Sequence, residues 1–205
     1  MMARRFASPK LLVATHNRGK AQEIRTMLAP FGIEIVSAGD LGLPAPAETG
    51  TTFESNATLK ALAAARASKL PALADDSGLS VEALGGQPGV YTADWEGPTR
   101  DAMVGMKRIQ DELARRGVPD TDEARRATFH CVLALAWPDE HVERVHGTLD
   151  GRIVWPPRGS GGHGYDPCFQ PLGDSRTTAE MAPAEKNAIS HRGRAFARLV
   201  EACVR

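Results

Sequence analysis

The stretch from Lys10 to Val36 limits the fold more than any other. Leu11-Leu12-Val13-Ala14 is a short apolar run that ends in polar residues, and Ile24, Met27 and Leu28 then fall on one face of a helical pattern from Gly19 to Leu28. Ile33 to Val36 is apolar again. Strand, helix and strand at this spacing predict an α/β arrangement. Gly39 to Gly50 is a loop rich in Gly, Pro and Ala, and Thr51 to Leu70 reads as a long alanine-rich helix. Thr51 or Thr52 is its expected N-cap, and Pro71 its stop. Ala72-Leu73-Ala74 forms a short buried strand leading into Asp75-Asp76-Ser77-Gly78. Thr99 to Arg116 has an amphipathic stripe of Met103, Met106, Ile109 and Leu113. Ala127 to Trp137 and Val142 to Leu149 read as antiparallel partners across the Pro138-Asp139-Glu140 turn. Tyr165 to Phe169 is expected to be a short strand and His191 to Val204 a final helix. Parallel crossovers together with a hairpin predict a mixed sheet.

Composition narrows the function. A chain of 205 residues can bury a substantial core and is expected to form one domain, residues 1–205. Lys plus Arg equals Asp plus Glu at 25 each. A neutral balance argues against a protein that coats nucleic acid, which relies on a basic surface. It leaves room for a small anion held by local charge. Cys131, Cys168 and Cys203 lie far apart without CxxC spacing, so neither a disulfide framework nor a zinc site is expected. Idle thiols fit a reducing compartment. Met1 to Pro9 lacks an apolar run of signal-peptide length, and no stretch approaches a membrane span. The expectation is a cytoplasmic protein with no membrane partner.

Three regions carry groups suited to chemistry. Thr15-His16-Asn17-Arg18-Gly19-Lys20 joins a strand to a helix, where free backbone N–H groups and the helix dipole favour an anion. The spacing is not that of a P-loop, and a capped turn with a solvated lysine is the plain alternative. Asp75 and Asp76 end an apolar strand, a common ligand position in α/β folds. Two close carboxylates raise each other's cost of ionisation unless a cation relieves it. One can hold Mg²⁺, which favours oxygen ligands, while the other takes a proton from water; a capped turn is again the alternative. Glu48 can add a metal oxygen or remain a solvated loop residue. Lys60 can reach a phosphate or snorkel to water. The third region pairs the glycine-rich loop Gly159 to Gly164 with the donors Lys186, Ser190, His191 and Arg192. Glycines let backbone approach a flat ring, and His163 or Tyr165 can stack on it. A surface helix terminus with favourable charges is the alternative. Donors at both ends and carboxylates between them suggest a nucleotide with its metal.

The ordered set of segments resembles the inosine triphosphate pyrophosphatase family, also described as dITP/XTP pyrophosphatases. The matching pieces are Ala14 to Lys20, Glu48 to Phe53 with Asn56-Ala57 and Lys60-Ala61, Ala74 to Leu79, Gly85 to Tyr91, Gly164-Tyr165-Asp166-Pro167 and Lys186 to Arg192. The resemblance implies an elongated mixed central sheet with helices forming two lobes around an active-site cleft. It implies Mg²⁺-dependent hydrolysis of ITP, dITP or XTP to monophosphate and pyrophosphate by a homodimer. By resemblance Thr15, Asn17, Lys20 and Lys60 hold the triphosphate, with Ser77 among the substrate-binding positions. Glu48, Asp75 and Asp76 form the metal site, with Asp76 as general base. Lys186, His191 and Arg192 recognise the base, with Ser190, His163, Gly164 and Tyr165 beside them. The chain departs from the family pattern at Ser55, His163 and Asp94, where an acidic residue, Phe and Arg are usual.

The chemistry of the 6-position adds one expectation beyond the resemblance. A 6-oxo purine accepts at O6 and donates at N1, whereas adenine reverses both. Arg192 or backbone N–H groups would pair with O6, and Asp166 would accept from N1. A 6-amino purine would then leave buried groups unpaired. Two rivals stand beside this reading: a phosphatase that releases orthophosphate, and a catalytically silent nucleotide-binding module.

Overall fold

The computed structural model describes residues 3–16 and 18–204, apart from the side chains of 18–20 and 23. Seven strands form one mixed sheet: β1 (Lys10–Val13), β2 (Glu34–Ser37), β3 (Ala72–Val81), β4 (Pro88–Gly89), β5 (Arg126–Ala136), β6 (Val142–Ile153) and β7 (Phe169–Pro171). Six of them lie in the order β2, β1, β3, β5, β6, β7, and β4 pairs with β3. β1 runs parallel to β2, with Leu11 opposite Ile35, and parallel to β3, with Leu12 opposite Ala72. β3–β4 and β6–β7 are antiparallel. β5 and β6 are neighbours joined through the 137–141 turn. A link that short can join only antiparallel strands. The mixed sheet expected from the sequence is therefore present.

Among the described residues, five α-helices accompany the sheet: α1 (Arg18–Leu28), α2 (Phe53–Ser68), α3 (Ala102–Arg115), α4 (Pro183–Ile189) and α5 (His191–Leu199). α2 starts at Thr52, whose side chain accepts from the Ser55 N–H while the Ser55 hydroxyl accepts from the Thr52 N–H. This reciprocal cap satisfies two N–H groups left over at a helix start. It gives Ser55 a structural task at the start of α2.

Contacts gather the chain into two compact units. One comprises the residues up to Asp76, Val132–His146 and the C-terminal residues from Ala195; the other comprises Ser77–Cys131 and Gly147–Arg194. The first has a small-residue core in which Ala57, Ala61 and Ala65 of α2 meet Leu12, Ala72, Ala74 and Val132. Alanine lets the helix lie close to the strands. The second has a bulkier core built around Leu79, Ile109, Leu113, Phe129, Ile153 and Phe169.

Three expectations are corrected. β3 runs on through Asp75 and Asp76 to Val81, so the carboxylates lie within a strand rather than at its end. Met103 is exposed, because the buried stripe of α3 begins one turn later, at Met106. The 165–169 segment is a 3-10 turn over Asp166–Cys168 followed by β7. Pro167 has no N–H to give a strand ladder, which favours the turn. The final helix covers the expected span, as α5 to Leu199 and as a π-helix over Val200–Val204. Among the described residues no helix is long and apolar enough to cross a membrane.

Candidate functional site

In the first unit, α2 and β3 bring Lys60 between two carboxylates. Its Nζ lies 2.8 Å from Glu48 Oε1 and 2.8 Å from Asp76 Oδ1. The Lys60 side chain is 15% exposed and that of Asp76 10%, so this pair is largely out of water. Burial pushes the Asp76 carboxyl above the ordinary aspartate value, and Lys60 offsets only part of that rise. Burial alone would lower the Lys60 ammonium, but Asp76 and Glu48 overcome it and leave the lysine above its usual range. The result is a charged lysine beside a carboxylate of increased basicity, the direction useful to a general base.

A cavity of about 360 Å³ opens next to this pair and is lined by Thr15, His16, Glu48, Lys60 and Asp75, among others. Thr15 and Asp75 are buried. Adjacent residues of an extended strand project to opposite sides. Asp75 accordingly lines the cavity, whereas Asp76 takes the Lys60 ammonium. No group of three His, Cys, Asp or Glu side chains placed for a metal ion occurs among the described residues. Glu48 and Asp76 nevertheless aim one oxygen each at a common cation, Lys60. A hard-oxygen pair of this kind fits Mg²⁺, which commonly uses one or two carboxylates and completes its shell with phosphate oxygens and water.

Asn56 is a residue that the sequence reading placed only in a matching motif. It is 2% exposed, and its Oδ1 accepts the Gly50 N–H at 2.8 Å. This staples the loop that carries Glu48 to the first turn of α2. The approach is so close that a Cβ on Gly50 would stand 2.6 Å from Asn56 Oδ1. The Asn56 amide also favours the charged form of Asp76. Asn17 and the side chain of Lys20 lie outside the described residues. Ser77 follows Asp76 on β3.

In the second unit the glycine-rich loop meets α4. Asp166 is buried at 3% exposure. Its Oδ1 accepts from the Thr178 hydroxyl at 2.8 Å, and its Oδ2 accepts from the His163 backbone N–H at 2.6 Å and from Lys186 Nζ. Both oxygens are thus engaged by internal donors, before any contact with a purine N1–H. Tyr165 is likewise engaged within the protein. It is buried at 3% exposure, and its hydroxyl donates to the Thr92 carbonyl at 2.8 Å. The ring is part of the buried cluster of the second unit. His163 and Gly164, by contrast, are exposed.

Ser190 links α4 to α5. Its backbone N–H donates to the Lys186 carbonyl, and its hydroxyl accepts the Gly193 N–H at 3.0 Å, so it serves as a cap. His191 stacks on Phe129 at 4.9 Å between centroids and 22° between planes, and Phe129 in turn packs on Phe169 at 4.2 Å. Arg192 is half-buried. No local pattern linked Phe129 with His191, because the two are more than sixty residues apart.

Fold and site together define a mixed α/β protein with a buried lysine–carboxylate pair beside a cavity. The Ham1 family profile matches residues 11–202, and the chain belongs to that family. It is 54% identical over 202 residues to a dITP/XTP pyrophosphatase of Bradyrhizobium diazoefficiens, covering 95% of each chain. It is also 54% identical over 200 residues to one of Rhodospirillum centenum, covering 98% of this chain and 97% of that one. Among solved structures, a HAM1 protein from Coxiella burnetii superposes with a TM-score of 0.87 at 38% identity, covering 94% of this chain and 96% of that one. A nucleoside-triphosphatase / dITP/XTP pyrophosphatase from Mycobacterium abscessus gives a TM-score of 0.77 at 41% identity, covering 93% and 98%.

Proposed function

We propose that this chain hydrolyses the non-standard 6-oxo purine nucleoside triphosphates ITP, dITP and XTP to the monophosphate and pyrophosphate, clearing them from the nucleotide pool. The observation that carries the reading is the end-to-end identity of 54% with relatives named dITP/XTP pyrophosphatase. The whole chain then works as one pyrophosphatase domain, as a homodimer in the cytoplasm.

In this reading Thr15, Asn17, Lys20 and Lys60 hold the triphosphate. Asp76 takes a proton from the water that attacks the α-phosphorus; its raised basicity and the neighbouring Lys60 support that role. Glu48 and Asp76 are the residues that would hold Mg²⁺, with Asp75 on the cavity side. When bound, the ion supplies neutralisation of phosphate charge. Lys60 stabilises negative charge on the phosphates, so positioning and electrostatics carry most of the rate. Lys186, His191 and Arg192 serve base recognition, and His163 and Gly164 present the exposed edge of the glycine-rich loop.

The test is to incubate the protein with ITP and Mg²⁺ and identify the product. Pyrophosphate is expected. Orthophosphate would indicate a phosphatase, and no product a silent binding module. Asp76→Asn is expected to retain nucleotide binding and lose about a hundredfold or more in turnover; undiminished turnover would remove Asp76 from the base role.

A further inference from the structure

We infer that Asp166, held in place by Thr178, is a positioning residue that fixes the Lys186 ammonium and the glycine-rich loop relative to each other. The inference rests on the reading of Lys186 as a base-recognition group. Thr178 is 1% exposed, and its hydroxyl contacts Asp166 twice, at 2.8 Å to Oδ1 and 3.1 Å to the backbone carbonyl. These contacts set the rotation of the carboxylate. With Oδ1 tied to Thr178, Oδ2 is directed to the His163 N–H and to Lys186 Nζ.

The charge balance supports an internal role. The Asp166 side chain is 4% exposed and that of Lys186 is 19% exposed. A carboxylate buried this deeply needs a cation and hydrogen bonds, and it has both. Lys186 carries three N–H donors, so one bond to Asp166 leaves others for a ligand oxygen. A lysine stem otherwise explores many rotamers, and the entropy of ordering it is already spent before a ligand arrives. A second tether acts on the same helix. Arg176 bonds to Asp174 at 2.9 Å and to Glu185 at 2.6 Å, and Glu185 is the residue before Lys186 on α4. α4 is therefore held from two directions, one buried and one exposed.

The experiment compares pyrophosphate release from ITP by the full-length wild type, Lys186→Met, Asp166→Asn, Thr178→Val and Thr178→Ser, and by the double variant of Lys186→Met with Asp166→Asn. Thr178→Val is expected to raise KM for ITP by about tenfold while leaving kcat within about twofold, as loss of a supporting partner does elsewhere. Thr178→Ser, which keeps the hydroxyl, is expected to restore the wild-type KM. Asp166→Asn should add little to KM once Lys186 is Met, because it acts through that lysine.

Additive effects of Asp166→Asn and Lys186→Met would overturn the inference and make Asp166 a direct ligand contact. So would a wild-type KM in Thr178→Val when Lys186→Met raises KM. An unchanged KM in Lys186→Met would instead overturn the base-recognition reading beneath it. A readout on the wild type guards against misfolded variants. A pinned ammonium should give a ¹⁵N resonance for Lys186 Nζ that survives near neutral pH, and a resonance exchanging as fast as those of surface lysines would overturn the inference.

Discussion

Lys60 on α2 donates to Asp76 on β3 at 2.8 Å, and both side chains are largely withdrawn from water. This one contact ties a helix to a strand and favours the charged form of both groups against their burial. Lys60→Met would leave the Asp76 carboxylate buried without its cation. The expected cost is about 3 kcal/mol of folding stability, read from urea unfolding at neutral pH. Triphosphate affinity is expected to fall in the same variant. Unfolding that matches the wild type would show that the pair contributes nothing.

Asn56 anchors Gly50 and, through it, the loop that bears Glu48. Asn56→Ala leaves the Gly50 N–H without its acceptor, at a cost of about 2 kcal/mol. Turnover of ITP is expected to drop about tenfold as the Glu48 loop loosens. Hydrogen exchange gives the structural readout: Gly50 should exchange slowly in the wild type and as fast as its loop neighbours in the variant.

The place of Tyr165 in the core leads to a paired prediction. A Cβ at Gly105 would stand 2.7 Å from Tyr165 Cζ, so Gly105→Ala forces helix and ring apart. A loss of about 2 kcal/mol is expected from such overpacking. Tyr165→Phe removes only the bond to the Thr92 carbonyl, at about 1 kcal/mol, and should leave KM for ITP unchanged. A large rise in KM for Tyr165→Phe would return the residue to the ligand-binding set.

The exposed clasp at Arg176 can be followed by pH. The hydrogen bonds from Arg176 hold the Asp174 carboxyl well below its usual range, at about 2. A carboxylate whose folded pKa is depressed contributes stability that is fully present above its ordinary value and lost as pH falls through about 2. In Arg176→Ala the Asp174 resonance should titrate close to the ordinary aspartate value of 3.8. Any stability difference between the two proteins should close toward pH 2 and shrink in high salt, since the groups are solvent-exposed.

Much of this architecture was legible because its signals are local. The apolar runs, the Thr52 cap and the break at Pro71 act within a few residues, so β1, α1, β2 and α2 fall where periodicity places them. The course of β3 over Asp75 and Asp76 is not legible locally, because carboxylates are poor strand formers on their own. In the folded chain Lys60 beside Asp76 offsets that preference. Tyr165, Cys168 and Phe169 are all apolar and favour a strand locally, where the chain forms the 3-10 turn at Asp166–Cys168. The missing N–H of Pro167 and the contacts of the Asp166 carboxylate together decide for the turn.

The amino-acid sequence alone established the α/β class, the order of elements and the set of polar side chains available for chemistry. The tertiary structure decided which of those side chains face a cavity and which are consumed within the protein. Asp75 and Asp76 are adjacent in sequence yet have different surroundings, because a strand sends neighbours to opposite sides. Asp166 and Tyr165 looked available for a ligand, but Thr178, Lys186 and Thr92 engage them. Those partners lie 12, 20 and 73 positions away along the chain. Hydrogen bonds across such separations depend on how the chain folds back, and no local pattern of residues encodes them.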